Sequence, residues 1–195
     1  MKKLIFEYAV MNAGKTAKLL QLNFDHKRIG QKTLLLKPDI DIRDKGVIKS
    51  RNGFEEKCLS FDKEENLLEL IEKSNVDIVF VDEAQFLTTK QVLELRYVVN
   101  VLEKNVICFG LKNDFMGKLF EGSKALIENA DVLNENYTLC NCGTKATMII
   151  KFNSENGKVI KSGEQVDCGA EDKYISVCSK HWYVDNIKEI KKYDK

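Results

Sequence analysis

The first two-thirds of the chain alternates short apolar runs with longer stretches whose apolar residues recur at helical spacing. The apolar runs cover residues 3–8, 32–37, 77–81 and 105–109. Runs of this kind favour strands that are buried on both faces of a parallel sheet. Because helical stretches separate them, the pattern indicates βαβ units and predicts a doubly wound α/β fold.

The first predicted helix is Lys15–Arg28. Its spacing places Ala17, Leu20 and Phe24 on one face, and Gly30 is a suitable stop. Two later helices are predicted from the residues at their starts. The pairs are Asp62 with Glu65 and Thr88 with Gln91, each with the three-residue spacing of a capping box before an apolar run.

The pattern changes near residue 136, where short β-like pieces are joined by turns. Asn156-Gly157 is a strong hairpin turn. Four of the six cysteines also lie in this last third, at Cys140, Cys142, Cys168 and Cys178. We therefore predict a nucleotide-binding α/β domain over residues 1–135 and a small, metal-stapled, β-rich module over residues 136–195.

Composition narrows the class of protein further. The 31 Lys and Arg residues balance 30 Asp and Glu residues, which argues against a protein that coats DNA. No apolar run approaches the roughly 20 residues that a membrane span needs. Glu7 interrupts the N-terminal apolar run after three residues, so we expect a mature cytosolic start rather than a signal peptide.

A phosphate-binding loop is predicted directly after the first strand and before the first helix. Backbone N–H groups and the positive helix end would cradle phosphate oxygens there, Lys15 would reach the β- and γ-phosphates, and Thr16 would ligate Mg²⁺. The alternative is a strand–turn–helix in which Gly-Lys-Thr occurs by chance. The loop departs from the general P-loop pattern in having alanine at its first position, and it consists of Ala9, Val10, Met11, Asn12, Ala13, Gly14, Lys15 and Thr16.

An acidic pair, Asp82-Glu83, follows the apolar run at residues 77–81. A carboxylate at the carboxyl end of a buried strand is where a P-loop protein holds Mg²⁺, which fits Asp82. Glu83 should project elsewhere, because side-chain direction alternates in strands, and it can serve as a general base. The alternative is an acidic cluster that only favours a helix N-terminus.

Two short ligand pairs predict a structural zinc site. Three cysteines and one histidine are an accepted zinc set, and four protein ligands leave no position for a catalytic water. The alternative is unliganded thiols and a surface histidine. The predicted ligands are Cys140, Cys142, Cys178 and His181, whereas Cys58 and Cys108 have no metal role.

The order of these motifs resembles one family. Residues 11–16, 82–86 and 110–115, followed by the paired zinc ligands, are similar to the tetrameric, zinc-containing type of thymidine kinase. The resemblance covers residues 4–181. It implies that ATP donates its γ-phosphate to the 5′-hydroxyl of thymidine, and more weakly to that of deoxyuridine. It also implies that Glu83 takes the hydroxyl proton.

The resemblance also implies roles for further residues. ATP contacts would come from the phosphate loop and from Asp82, Glu83, Ala84 and Gln85. Asp41 and Arg43 would act near the phosphates. A flexible "lasso" over residues 165–174 would cover the nucleoside, with Gly169-Ala170 where family members often have Gly-Gly. The implied thymidine-binding residues are Phe86, Leu111, Phe115, Gln165, Val166, Asp167, Cys168, Gly169 and Tyr174.

The same resemblance implies a cytoplasmic homotetramer with feedback inhibition by thymidine triphosphate and no nucleic-acid or membrane partner. Two other classes of function stay open at this point. One is a P-loop ATPase whose zinc module binds nucleic acid, although glutamates interrupt the lysines that would form a basic stripe there. The other is a non-catalytic, zinc-stapled interaction protein, in which the phosphate loop would have no use.

Overall fold

The computed structural model describes residues 1–39, 46–165 and 172–191. The chain divides into two compact units. The first unit comprises Met1–Tyr8, Gly14–Gly110 and Glu121–Glu135, and the second comprises Ala9–Ala13, Leu111–Phe120 and Asn136–Lys195. The predicted division into residues 1–135 and 136–195 stays a prediction.

The described residues form strands, α-helices and two 3₁₀ turns, which lie at Ala84–Phe86 and His181–Tyr183. The helices are α1 (Lys15–Arg28), α2 (Leu67–Lys73), α3 (Thr89–Asn100), α4 (Glu121–Asn129) and α5 (Lys188–Lys191). The strands are β1 (Leu4–Ala9), β2 (Thr33–Pro38), β3 (Val47–Lys49), β4 (Glu55–Lys57), β5 (Leu59–Phe61), β6 (Ile78–Val81), β7 (Asn105–Leu111), β8 (Val132–Glu135), β9 (Thr138–Leu139), β10 (Lys145–Ala146), β11 (Met148–Asn153), β12 (Val159–Ile160) and β13 (Asp172–Val177).

The first unit is built on a six-stranded sheet in the order β5-β2-β6-β7-β1-β8. The pairs β2–β5, β2–β6, β6–β7 and β1–β8 are parallel. Alternate residues of β2 enter two different apolar clusters: Leu34 and Leu36 pack in one, and Leu35 packs in the other with Leu19 and Leu20 of α1. The sheet is therefore covered on both faces, which confirms the predicted α/β architecture.

Helix α1 has the predicted bounds, but its buried face is different from the one that the spacing suggested. Leu20 is buried, whereas Phe24 is 60% exposed and Asn23 is almost fully buried. The Asn23 amide donates to Glu56 Oε2 at 3.2 Å, so the β3–β4 hairpin covers that side of the helix. A contact with a strand far along the chain thus decides which residue is buried.

The two predicted capping boxes have different outcomes. At α3 the box is present, with Thr88 accepting from the Gln91 N–H and Gln91 accepting from the Thr88 N–H. Helix α2 instead begins at Leu67 and is capped by Asn66. Asp62 accepts the N–H groups of Glu64 and Glu65, which makes a turn ahead of the helix.

The second unit is β-rich, as predicted. Strands β12, β11 and β13 form an antiparallel sheet, and β9 pairs with β10. The predicted turn at Asn156-Gly157 joins β11 to β12, with Gly157 at φ +75° and its N–H donating to Asn153 O at 2.9 Å. The unit's apolar core includes Val10 and Phe115 beside residues near the C-terminus such as Ile190. No helix in the described part of the chain is long and apolar enough to cross a membrane.

Candidate active site and metal centre

Two positions of the predicted phosphate loop have a backbone conformation that is uncommon outside turns. Asn12 and Gly14 both adopt left-handed conformations, with φ of 62° and 70°. Gly14 caps α1 without a side-chain hydrogen bond, and the first turn of the helix holds no acidic residue. Within the second unit, Ser176 Oγ donates to Met11 O at 2.6 Å and holds the start of the loop. The N–H groups at the start of α1 can therefore receive an anion.

Lys15 and Thr16 lie beside the acidic pair that follows β6, all within the first unit. Burial lowers the pKa of Lys15, the charges of Glu83 and Asp82 raise it, and Arg51 lowers it. Thr16 Oγ1 donates to Asp82 Oδ2 at 3.4 Å. Two motifs that lie 66 positions apart in the sequence, each predicted separately, are thus brought together at one edge of the sheet.

Asp82 is a buried carboxyl whose pKa is affected in opposite directions by its surroundings. Burial, with the charge of Glu83, raises the pKa of Asp82 to about 7, against the lowering effects of the Glu83 N–H, Lys15 and Lys37. Only 4% of the residue is exposed. A divalent cation would favour the ionised form, so carboxylate and hydroxyl oxygens at this position fit Mg²⁺ chemically.

Glu83 leaves the strand in a strained backbone conformation. Its φ of 50° is left-handed, which is uncommon for a residue with a side chain. Gln85 Nε2 donates to Glu83 Oε2 at 2.6 Å, so the carboxylate is held by a neighbour two positions along the chain. The half-buried carboxylate has the orientation control that a general base needs.

Two glycines, Gly110 in β7 and Gly122 in α4, allow the 3₁₀ turn after the acidic pair to pack closely against the sheet and against that helix. A Cβ at Gly110 would lie 2.9 Å from both N and Oε1 of Gln85. A Cβ at Gly122 would lie 2.5 Å from Ala84 O and 2.8 Å from Leu87 O. Both positions therefore exclude any side chain, and nothing in the local sequence around Gly122 indicates this.

Phe86 lines a cavity of about 380 Å³ in the first unit. The ring is only partly buried, and Pro38, Phe61 and Gln91 are among the other lining residues. The implied role of Phe86 in binding the base stays a prediction.

The other predicted base-binding residues belong to the second unit. Phe115 is 4% exposed, and its ring lies edge-on to Tyr174 with 6.4 Å between centroids. The buried Lys151 places its Nζ 5.4 Å from the Phe115 ring centroid. Trp182 Nε1 donates to Phe115 O at 3.1 Å, and Leu111 packs in the same apolar cluster. The sequence did not indicate Lys151 or Trp182 as supports of this ring.

The remaining predicted site residues fall in or beside two segments that lie outside the described residues. Gln165 is described, and its Nε2 donates to Asp114 Oδ2 at 2.9 Å. The predicted residues that lie outside the described ranges are Asp41, Arg43, Val166, Asp167, Cys168 and Gly169.

The four predicted metal ligands converge in the second unit. Their ligand atoms all lie within 4.8 Å of one another. Cys140 Sγ is 3.2 Å from His181 Nδ1, and Cys142 Sγ is 3.9 Å from Cys178 Sγ. Zinc–sulfur bonds of ~2.3 Å at the tetrahedral angle separate two thiolates by ~3.8 Å, so the spacing fits zinc. Hydrogen bonds from Thr144 lower the pKa of Cys142 to about 7, which favours the thiolate that binds metal.

Comparison with known proteins identifies the family. A family model described as thymidine kinase matches residues 2–182. The chain belongs to the thymidine kinase family. A thymidine kinase of Rhodopirellula baltica is 45% identical over 187 residues, which cover 93% of this chain and 88% of that protein. A thymidine kinase of Rhizobium meliloti is 45% identical over 189 residues, with 93% and 96% coverage.

Among solved structures, a DNA replication initiation factor matches with a TM-score of 0.43 at 19% identity, over 72% of this chain and 41% of that chain. A likeness of this size bears on neither the activity nor the site. Membership of the thymidine kinase family therefore rests on the sequence matches. It agrees with the resemblance that the phosphate loop, the acidic pair and the zinc ligands predicted.

Proposed function

We infer that this chain is an ATP-dependent thymidine kinase, which transfers the γ-phosphoryl group of ATP to the 5′-hydroxyl of thymidine in the salvage of DNA precursors. The observation that carries the inference is family membership over residues 2–182. The clustering of Lys15, Thr16, Asp82 and Glu83 in the first unit supports it, because these are the residue types that phosphoryl transfer uses.

We propose that the phosphate loop and Lys15 bind the β- and γ-phosphates. Thr16 and Asp82 would hold Mg²⁺, which when bound neutralises charge on the phosphates. Glu83 accepts the proton of the 5′-hydroxyl as the oxygen attacks the γ-phosphorus. The bond from that phosphorus to the bridging oxygen of ADP breaks, so the products are thymidine monophosphate and ADP. Gln85 keeps the Glu83 carboxylate oriented.

The thymidine contacts that we propose follow the resemblance. Phe86, Leu111, Phe115 and Tyr174 pack against the base, and residues 165–169 hold it largely through backbone groups. Asp41 and Arg43 act near the phosphates. ATP also contacts the segment Asp82–Gln85. The Cys140, Cys142, Cys178 and His181 set is proposed to hold one structural zinc ion, whose binding stabilises the second unit.

Three further proposals rest on the resemblance alone. The enzyme is a homotetramer, thymidine triphosphate inhibits it by feedback, and it acts in the cytoplasm. Analytical ultracentrifugation tests the first, and the second is tested by titrating thymidine triphosphate into the assay at several thymidine concentrations. A monomer at assay concentration, or turnover that is indifferent to the triphosphate, contradicts the corresponding proposal.

The experiment that tests the proposed function is a panel of nucleosides assayed with labelled ATP and Mg²⁺ for 5′-monophosphate. We expect thymidine to be the best substrate. Deoxyuridine should be poorer but real, because an apolar niche discriminates a methyl group by only ~1–3 kcal/mol. Cytosine presents a hydrogen-bond donor where thymine presents an acceptor, so a buried donor of the protein would be left without a partner. Phosphorylation of deoxycytidine should therefore be close to the background of the assay.

The Lys15→Ala variant is the control for ATP use, because it removes the charge that faces the β- and γ-phosphates. It should lose turnover with every nucleoside. ATP hydrolysis that depends on polynucleotide and not on thymidine would favour a nucleic-acid-dependent ATPase. Comparable kcat/KM for deoxycytidine would overturn the choice of substrate while leaving nucleoside phosphorylation in place.

A further inference from the structure

The loop that carries Phe115 is closed by one buried carboxylate. Asp114 is 2% exposed, and its Oδ1 accepts the N–H groups of Met116 and Lys118 at 2.8 and 2.9 Å. The Asp114 N–H donates to Lys118 O at 2.9 Å, and the Gly117 N–H donates to Asp114 O at 3.2 Å. These bonds fold residues 114–118 into a tight turn around the Asp114 side chain.

Gln165 binds both ends of this turn from a distant part of the chain. Its Nε2 donates to Asp114 Oδ2 at 2.9 Å and to Leu119 O at 3.3 Å. Asp114 is the first residue of the turn, and Leu119 directly follows it. Because Oδ1 already serves the backbone donors, Oδ2 is the acceptor that Asp114 presents to Gln165.

Phe115 lies inside this turn and is also held from other directions. Trp182 Nε1 donates to its carbonyl, and its ring contacts Tyr174 and the Lys151 ammonium group. The hydrogen bond between Asp114 and Gln165 acts on the backbone on which the ring is mounted rather than on the ring itself. A shift of the turn would therefore move the ring relative to whatever ligand it receives.

We propose that Asp114 and Gln165 are positioning residues for nucleoside recognition, acting through Phe115. This proposal rests on the proposed function and deepens it, since Phe115 is there assigned to thymine. A buried carboxylate is costly to desolvate and is retained here with three hydrogen bonds, of which the one from Gln165 is a side-chain bond between segments 51 positions apart. The Gln165 side chain thus acts on the loop that carries Phe115.

The decisive variant is Gln165→Glu. It replaces the donor by a carboxylate that faces the Asp114 carboxylate and the Leu119 carbonyl. We expect KM for thymidine to rise at least about tenfold, with KM for ATP within about twofold and kcat changed only a few-fold. Gln165→Ala, which removes the donor without adding repulsion, should raise KM for thymidine by a smaller factor.

A second substitution should partly reverse the effect. In Gln165→Glu combined with Asp114→Asn, the new amide at position 114 donates to the new carboxylate, and its oxygen still accepts from Met116 and Lys118. We expect KM for thymidine to fall at least about threefold below its value in Gln165→Glu, with incomplete recovery because the Leu119 carbonyl still faces a carboxylate.

The matched control is Gln21→Glu. Gln21 Nε2 donates to Asp25 Oδ2 at 3.3 Å on an exposed face of α1, so the same chemical change occurs there in solvent. It should leave both KM values unchanged. Zinc content and thermal unfolding of every variant separate a repositioned loop from an unfolded protein, and the double variant retains the test if Gln165→Glu fails to fold.

The proposal is overturned if Gln165→Glu keeps KM for thymidine within about twofold, if KM for ATP rises equally, or if adding Asp114→Asn fails to lower KM for thymidine. These outcomes are distinct from failure of the proposed function. In that case the unmodified enzyme itself would not phosphorylate thymidine.

Discussion

Replacing Asp82 by asparagine should make the protein more stable, and the gain should grow with pH. Burial is the main cause that raises the pKa of this carboxyl from 3.8 to about 7. Between those two values the native state keeps a proton that the unfolded chain has lost. The free energy of unfolding therefore falls as pH rises through this window, whereas a neutral amide at this position does not titrate and escapes the loss.

The size of the effect follows from the shift. One pKa unit corresponds to ~1.4 kcal/mol, so full ionisation of Asp82 destabilises the native state by about 4 kcal/mol. From about pH 5.5 to about pH 7.5 the part that develops is about 2 kcal/mol. Asp82→Asn should thus gain about 2 kcal/mol more over the unmodified protein at the higher pH than at the lower one.

Urea denaturation at the two pH values, followed by far-ultraviolet circular dichroism without nucleotide or added Mg²⁺, measures this difference. Trp182 is the single tryptophan of the chain and lies in the second unit, so its fluorescence follows that unit separately. Asp25→Asn is the control, because the Asp25 side chain on α1 is 44% exposed, and it should keep the pH dependence of the unmodified protein. If the free energies of unfolding of Asp82→Asn and the unmodified protein differ by the same amount at both pH values, the conclusion that Asp82 titrates near neutrality is refuted.

The other predictions concern catalysis, metal and packing. Glu83→Gln should lower kcat by about 10²–10⁴-fold with near-normal KM for ATP in steady-state kinetics, and more than about a tenth of the original turnover would exclude Glu83 as the base. Elemental analysis of the purified protein should find one zinc ion per chain. The Cys178→Ser variant should lose most of this zinc, and a loss of zinc in Cys58→Ser would contradict the assigned ligands. Gly110→Ala should lower the free energy of unfolding by ~1–3 kcal/mol and should lower kcat, because the new Cβ displaces Gln85. An unchanged melting temperature would contradict this prediction.

Features with a local cause were predictable from the sequence. Helix α1 has its predicted bounds, and the Thr88 box starts α3 because both partners lie within one turn. The proximity of Lys15 and Asp82 was also predictable, because the loops that follow parallel strands lie at the same edge of a sheet. The convergence of three cysteines and one histidine was predictable from ligand chemistry and spacing.

Features that depend on distant partners were not predictable. Phe24 is exposed and Asn23 buried because Glu56 of the hairpin binds the asparagine. The cap of α2 was wrong for a local reason instead, because Asp62 accepts the N–H groups of its own turn and Asn66 caps the helix. The exclusion of a side chain at Gly122 depends on carbonyl groups from a distant part of the chain, and no periodicity in the sequence reports such a contact.

The second unit draws its core from residues that lie far apart in the sequence, and this affects the order in which the units can fold during synthesis. Val10 packs in the same cluster as Ile187 and Ile190, which are translated much later. That core cannot be completed until residues 187–190 have been translated, whereas Gly14–Gly110 can form sheet contacts earlier. A nascent chain that stalls before residue 187 would therefore expose the apolar side chains of residues 9–13, and such exposed segments are prone to aggregate.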